Sequence, residues 1–200
     1  MCIRDSVDPV ELAVALAALA PPGIVTGARL ITPDDLGGLR VEERAAVANA
    51  VPGRRHEFAS GRTLLRELLG TAAAIPIGPT RAPLLPAGVV GSLAHDRMVV
   101  VAAVSHDPTV SALGIDIEPT DLLTSDMARV ILRDDERDVD AHLAFTLKEA
   151  AYKAWSTGPE AAMTAVIASG VRALPACRST LSAAQIDAVV AHTRNDLQQP

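Results

Sequence analysis

Lysine is almost missing from this chain. Of its 18 basic side chains, all but Lys148 and Lys153 are arginines. Cysteine is equally sparse: Cys2 and Cys177 lie far apart without metal-ligand spacing, which excludes a disulfide framework and a zinc site. The longest apolar runs, Val10 to Leu19 and Met98 to Val104, stop well short of the ~20 residues a membrane helix needs, so no span is expected. The opening "MCIRDS" lacks the apolar core and cleavage site of a secretory signal, and residues 1–6 are read as a non-native extension outside the fold. A soluble, cytoplasmic, monomeric protein is expected. There is no G-x-S-x-G elbow and no Walker loop, and neither cysteine has histidine partners of the kind a covalent nucleophile uses.

What is present suffices for a packed core: 200 residues with 49% hydrophobic content fit one globular unit or two small ones. The net charge of -6 argues against nucleic acid as a partner, but the charge is segregated. Arg40, Arg44, Arg54, Arg55, Arg62 and Arg66 crowd the first third. Asp116, Glu118, Asp121, Asp126, Asp134, Asp135, Glu136, Asp138 and Asp140 crowd the middle. Solvated helix faces would explain this, and so would a site holding an anion on one side and a metal on the other.

Helices are expected over Val10–Leu19, stopped by Pro21-Pro22-Gly23, over Val41–Ala50, and from Pro52 to Gly70. Turned at ~100° per residue, the third places Phe58, Leu65, Leu68 and Leu69 on one side with Arg55, Arg62 and Arg66 in a stripe beside them. That stripe reads as a solvated face with stems on the core rim or as a phosphate clamp, since guanidinium forks suit phosphate oxygens. Residues 71–88 have the Pro and Gly density of a loop, with Arg81 inside it. Two strands then flank a turn near His95-Asp96-Arg97, with His95 at a strand end.

"GIDIE", residues 114–118, alternates strictly, so a strand here sends Ile115 and Ile117 to the core and Asp116 and Glu118 to the other face. Two adjacent carboxylates repel unless solvent, a basic group or a hard cation such as Mg2+ compensates. "FTLKEAAYKAW", residues 145–155, is a strong helix former in which Glu149 and Lys153 share a face. A surface ion pair explains the spacing. It does not explain why a chain built on arginine uses lysine there, where a compact ammonium suits a phosphate or a mobile proton.

Together these segments resemble the 4'-phosphopantetheinyl transferases, in the group that includes enterobactin synthase component D. The resemblance rests on "GIDIE" with "FTLKEAAYKAW" some thirty residues on, preceded by "FASGRTLLRELLG" and "TRAPLLPAGVVGSLAHD", in order over roughly residues 40–155. It implies an α+β fold of two similar halves related by a pseudo-two-fold. It implies that Asp116, Glu118 and Glu149 hold Mg2+ against the pyrophosphate of coenzyme A and that Lys153 neutralises phosphate charge. Arg62 with Arg54 or Arg55 would hold the 3'-phosphate, Arg81 would grip the nucleotide, and His95 would meet the pyrophosphate. The reaction so implied moves the phosphopantetheine arm to a serine of an apo acyl, peptidyl or aryl carrier protein, with Glu149 as base and adenosine 3',5'-bisphosphate as leaving group; enterobactin-type siderophore biosynthesis is one setting.

Ala94 stands where that family commonly has Ser or Thr. The expected organisation is an N-terminal half over 7–112 with the coenzyme A arginines, the metal-site strand and helix over 113–155, and an atypical helical tail over 156–200, leaving the second half incomplete. A shifted reading frame or truncated gene would explain such a tail. A non-catalytic coenzyme A or nucleotide binder and a helical interaction protein with chance motif matches are the competing readings.

Overall fold

The computed structural model describes residues 8–119, 123–157 and 165–170, the last as backbone alone. Among them the chain is α+β. Helix α1, Pro9–Leu19, begins where Asp8 Oδ1 accepts from Val10 N at 2.8 Å, and it buries Leu12 and Leu16. Strand β1, Val25–Leu30, pairs antiparallel with β3, Val99–Ser105, which also pairs with β2, Val90–His95, giving the order β1-β3-β2. The β2–β3 turn is held by Asp96 Oδ1, which accepts from Met98 N and Val99 N at 2.6 and 2.7 Å.

Every residue of β3 is buried, so it reads as a continuous apolar run with each pleat face covered. Val99, Val101 and Ala103 pack with Leu12, Leu16, Ile115 and Ile117. Val100, Ala102 and Val104 pack with Leu64, Leu65 and Ile75. Leu64 and Leu65 belong to α3, Pro52–Leu69, whose start uses Pro52 in its first turn and whose end is capped by Gly70 at φ 59. The expected second helix, Val41–Ala50, is shorter: α2 spans Val41–Ala46.

Glu43 of α2 is fully buried and accepts from Arg66 Nη1 at 2.7 and 2.9 Å, from Ile75 N at 2.8 Å and from Arg40 N at 2.8 Å. These bonds hold its carboxyl below the usual range despite the opposing cost of burial. Arg66 is therefore a structural cation, and the solvated-stripe reading fails for it. Replacing Glu43 with alanine leaves Arg66 buried without its counterion and is expected to cost about 3–5 kcal/mol in urea unfolding.

Strand β4, Leu113–Glu118, sends Ile115 and Ile117 into the α1 cluster as alternation predicts. Its other face is covered by α5, Ala141–Thr157. The contact is backbone to backbone: a Cβ on Gly114 would stand 1.8 Å from Ala150 O and 2.9 Å from Ala154 N. Between them lies a short helix α4, Ser125–Ile131, none of whose residues is buried.

The helical expectation for the tail is corrected over Ala165–Gly170, which forms strand β5, parallel to β4 from Leu113↔Ala165 to Glu118↔Gly170. Alanine content favoured helix, but Val166-Ile167 are β-branched and β4 offers a free edge, so tertiary pairing overrides composition. α5 likewise continues past residue 155 to Thr157. The expected extension at 1–6 and residues 171–200 lie outside the described residues. Among the described residues no helix is long and apolar enough to cross a membrane.

Candidate functional site

Alternation puts Gly114, Asp116 and Glu118 on one face of β4, and the absent side chain of Gly114 lets α5 settle directly upon it. This carries Lys153 to Asp116, with Nζ 2.5 Å from Oδ1 and 3.4 Å from Ile115 O. Asp116 is 4% exposed, and its second oxygen, Oδ2, is buried with no hydrogen-bond partner among the described residues. Burial pushes the Asp116 carboxyl up; Lys153 opposes this, and the charge of Glu149 adds to it. Burial also raises Glu118, followed by the charge of Asp116, with Lys153 again opposing and Glu149 again adding.

Asp116, Glu118, Glu149 and Lys153 are thus one electrostatic unit, with three carboxylates to one ammonium. Among the described residues no three acidic, histidine or cysteine groups close on a metal position by themselves. Mg2+ nonetheless suits the bare Asp116 oxygen, because that ion commonly takes one or two carboxylates, keeps waters and completes its shell with substrate phosphate.

The raised carboxyls predict a pH effect of definite sign. A carboxyl whose folded pKa exceeds its unfolded one lends stability below the ordinary range, near pH 4, and that stability is lost as pH rises through the folded value. The melting temperature of metal-free protein, relative to an Asp116→Asn, Glu118→Gln variant, should fall as pH climbs from about 4 to neutrality. Differential scanning fluorimetry with a chelator would read this.

The other lysine has a different duty. Lys148 Nζ bonds Ile131 O at 2.7 Å and Glu136 Oε2 at 2.5 Å, fastening the end of α4 and the turn after it to α5. Both lysines therefore reach a buried carboxylate through a partly covered path, where a single ammonium on a flexible stem fits better than a planar fork.

The arginines separate. Arg62 is 3% exposed; Nε bonds Ile75 O at 2.6 Å and its guanidinium lies 4.3 Å over the Phe58 ring. No carboxylate pairs with it among the described residues, and burial lowers its pKa to about 10, aided by Arg54 and Arg66 and opposed by Glu43. It stays charged at neutral pH, a buried cation without a paired anion among the described residues. Arg54 meets His95: Nη1 is 3.0 Å from His95 Nε2 and 3.2 Å from Glu57 Oε2. Arg55 is exposed. Arg81 is exposed at the tip of a tight loop with φ 68, where its N–H bonds Gly78 O at 2.9 Å.

His95 ends β2 as expected, but Ala94 is 3% exposed and packed in the core with Leu12 and Val101, so this position supplies packing rather than a hydroxyl. Sequence reasoning missed Glu57 and Glu43. Glu57 follows Arg54 at i+3, a signal available from the helix alone; Glu43 meets Arg66 only through the fold.

The family model for the 4'-phosphopantetheinyl transferase N-terminal domain matches residues 42–105, from α2 to the end of β3. 4'-Phosphopantetheinyl transferase Svp of Streptomyces mobaraensis is 38% identical over 70% of this chain and 64% of its own length. 4'-Phosphopantetheinyl transferase Npt of Nocardia iowensis is 33% identical over 70% of this chain and 68% of its own. Enterobactin synthase component D of Salmonella typhi is 33% identical over 52% of this chain and 49% of its own. The chain spans about two thirds of the length of the first two relatives. A shared N-terminal domain, and a 33% identical relative more than two thirds covered, place the chain in the 4'-phosphopantetheinyl transferase family.

Proposed function

We propose that this chain transfers the 4'-phosphopantetheine arm of coenzyme A to a serine hydroxyl of an apo carrier protein, with Mg2+. The observation that carries this reading is the bare, buried Asp116 Oδ2 beside Glu118, Glu149 and Lys153: an oxygen-lined centre with one ammonium, able to take a metal-bound diphosphate.

Asp116, Glu118 and Glu149 are the residues that would hold the ion, which when bound neutralises charge developing on the phosphate oxygens. Lys153 stands on the same centre and adds a second positive charge for the diphosphate. The serine oxygen bonds to the β-phosphorus while the bond from that phosphorus to the oxygen bridging to the α-phosphate breaks. Glu149, directly or through a water, accepts the serine proton, and adenosine 3',5'-bisphosphate departs. Alignment and charge neutralisation are the main requirements of such a transfer, so no covalent enzyme intermediate is needed.

Arg62, with Arg54 or Arg55, holds the 3'-phosphate in this reading; Arg81 grips the nucleotide and His95 meets the diphosphate. A buried guanidinium with no carboxylate among the described residues is a waiting anion site. In keeping with the two-half reading, residues 7–112 supply the anion wall, and β4 with α5 supply the metal wall.

Arg62→Ala is expected to weaken coenzyme A binding about 10- to 100-fold, the worth of a charged hydrogen bond. Calorimetric titration of coenzyme A with Mg2+, on a variant whose fold is checked by circular dichroism, tests the assignment. Unchanged affinity would remove Arg62 from the site.

A further inference from the structure

Glu57 is a carboxylate on the wall where phosphate is expected. Its Oε2 is 3.2 Å from Arg54 Nη1 and 3.5 Å from His95 Nε2, while Arg54 Nη1 and His95 Nε2 are 3.0 Å apart. The three side chains form one knot across α3 and the end of β2, and His95 Nδ1 completes it against Asp96 O at 3.2 Å. Arg54, Glu57 and His95 are 46%, 26% and 34% exposed, so a ligand can reach all three.

Arg54, which the functional reading assigns to phosphate, is therefore held by a carboxylate of the chain itself; with Nδ1 donating to Asp96 O, a neutral His95 accepts from Arg54 through Nε2 and pairs with Glu57 only when protonated. An incoming phosphate oxygen that accepts from Arg54 Nη1, or from His95 Nε2 when the ring is protonated, takes the position Glu57 Oε2 now shares. It also brings negative charge to within a few ångströms of a fixed negative charge, which in a half-exposed setting disfavours binding modestly. We infer that Glu57 is an internal stand-in for the ligand phosphate: it holds Arg54 beside His95 in the empty site, competes with coenzyme A for that guanidinium, and so sets the affinity for coenzyme A and the ease of releasing the bisphosphate product.

This inference rests on the reading that Arg54 and His95 serve the anion wall. A purely structural Glu57 would have the opposite signature, since losing a strut loosens the side chains it supports and weakens binding. Glu57→Gln keeps the shape and one acceptor but removes the charge. Calorimetric titration of coenzyme A with Mg2+ at low salt should give a dissociation constant about two- to five-fold lower for Glu57→Gln than for the unmodified chain. The gain should shrink at high salt and vanish when Arg54→Ala is added. In turnover, KM for coenzyme A should fall without a matching rise in kcat. Equal or weaker binding by Glu57→Gln, or a gain that survives Arg54→Ala, overturns the stand-in role while leaving the transferase reading in place. Failure of the unmodified chain to bind coenzyme A overturns that reading and this inference with it.

Discussion

Asp116→Ala is expected to lower phosphopantetheine transfer at least about a thousandfold while leaving the protein folded. Both halves of this expectation come from one side chain. Asp116 is 4% exposed, binds Lys153 through Oδ1 and keeps Oδ2 bare. Burial already disfavours its charged form, so the empty protein bears the carboxylate as a burden and loses little fold stability without it. Turnover, by contrast, loses the oxygen that would meet the ion and the anchor that keeps Lys153 on the centre. Steady-state rates alongside a urea melt separate the two effects. A variant that unfolds would make Asp116 a structural residue; one that folds and turns over normally would remove it from the site.

Among the described glycines, Gly114 should tolerate an added methyl least. The added carbon would meet the backbone carbonyl of Ala150 at 1.8 Å, and no rotamer change can relieve a clash with helix backbone. α5 must lift from β4, separating Lys153 and Glu149 from Asp116 together. Overpacking on this scale is expected to cost about 3 kcal/mol, and a displacement near 1 Å at the reacting groups about a hundredfold in rate. Gly61 offers the control. A Cβ there would stand 2.8 Å from Leu93 Cδ2, the tip of a flexible side chain that can turn aside, so Gly61→Ala should be far milder in a thermal melt. Equal tolerance of both substitutions would refute the close seating of α5 on β4.

The contrast between these glycines marks where local pattern carries structural information. Helix α3 was legible because Pro52 and Gly70 bracket an apolar period, and β4 because Ile115 and Ile117 alternate with Asp116 and Glu118. The turn at Asp96 and the helix bearing Glu149 and Lys153 follow from similarly local signals. β1 was not legible, since Thr26, Gly27, Ala28 and Arg29 carry no strand alternation and become a strand by pairing with β3. β5 is the same case against β4.

For the site, residue types and order were legible, but burial was not. A helical wheel sets Arg62 beside Arg66 and cannot tell that Glu43 covers one and Ile75 O the other. Nor does alternation reveal that α5 buries the Asp116 face and places an ammonium there. Those facts depend on contacts between residues 13 to 37 positions apart.

The most direct test of the account is the intact mass of a purified apo carrier protein after incubation with this chain, coenzyme A and Mg2+, beside a chelated control. A gain of one phosphopantetheine that requires the metal and disappears with Asp116→Ala is the predicted result. No gain, under conditions where coenzyme A binding is retained, would contradict the account and leave a protein that holds the nucleotide without performing the transfer.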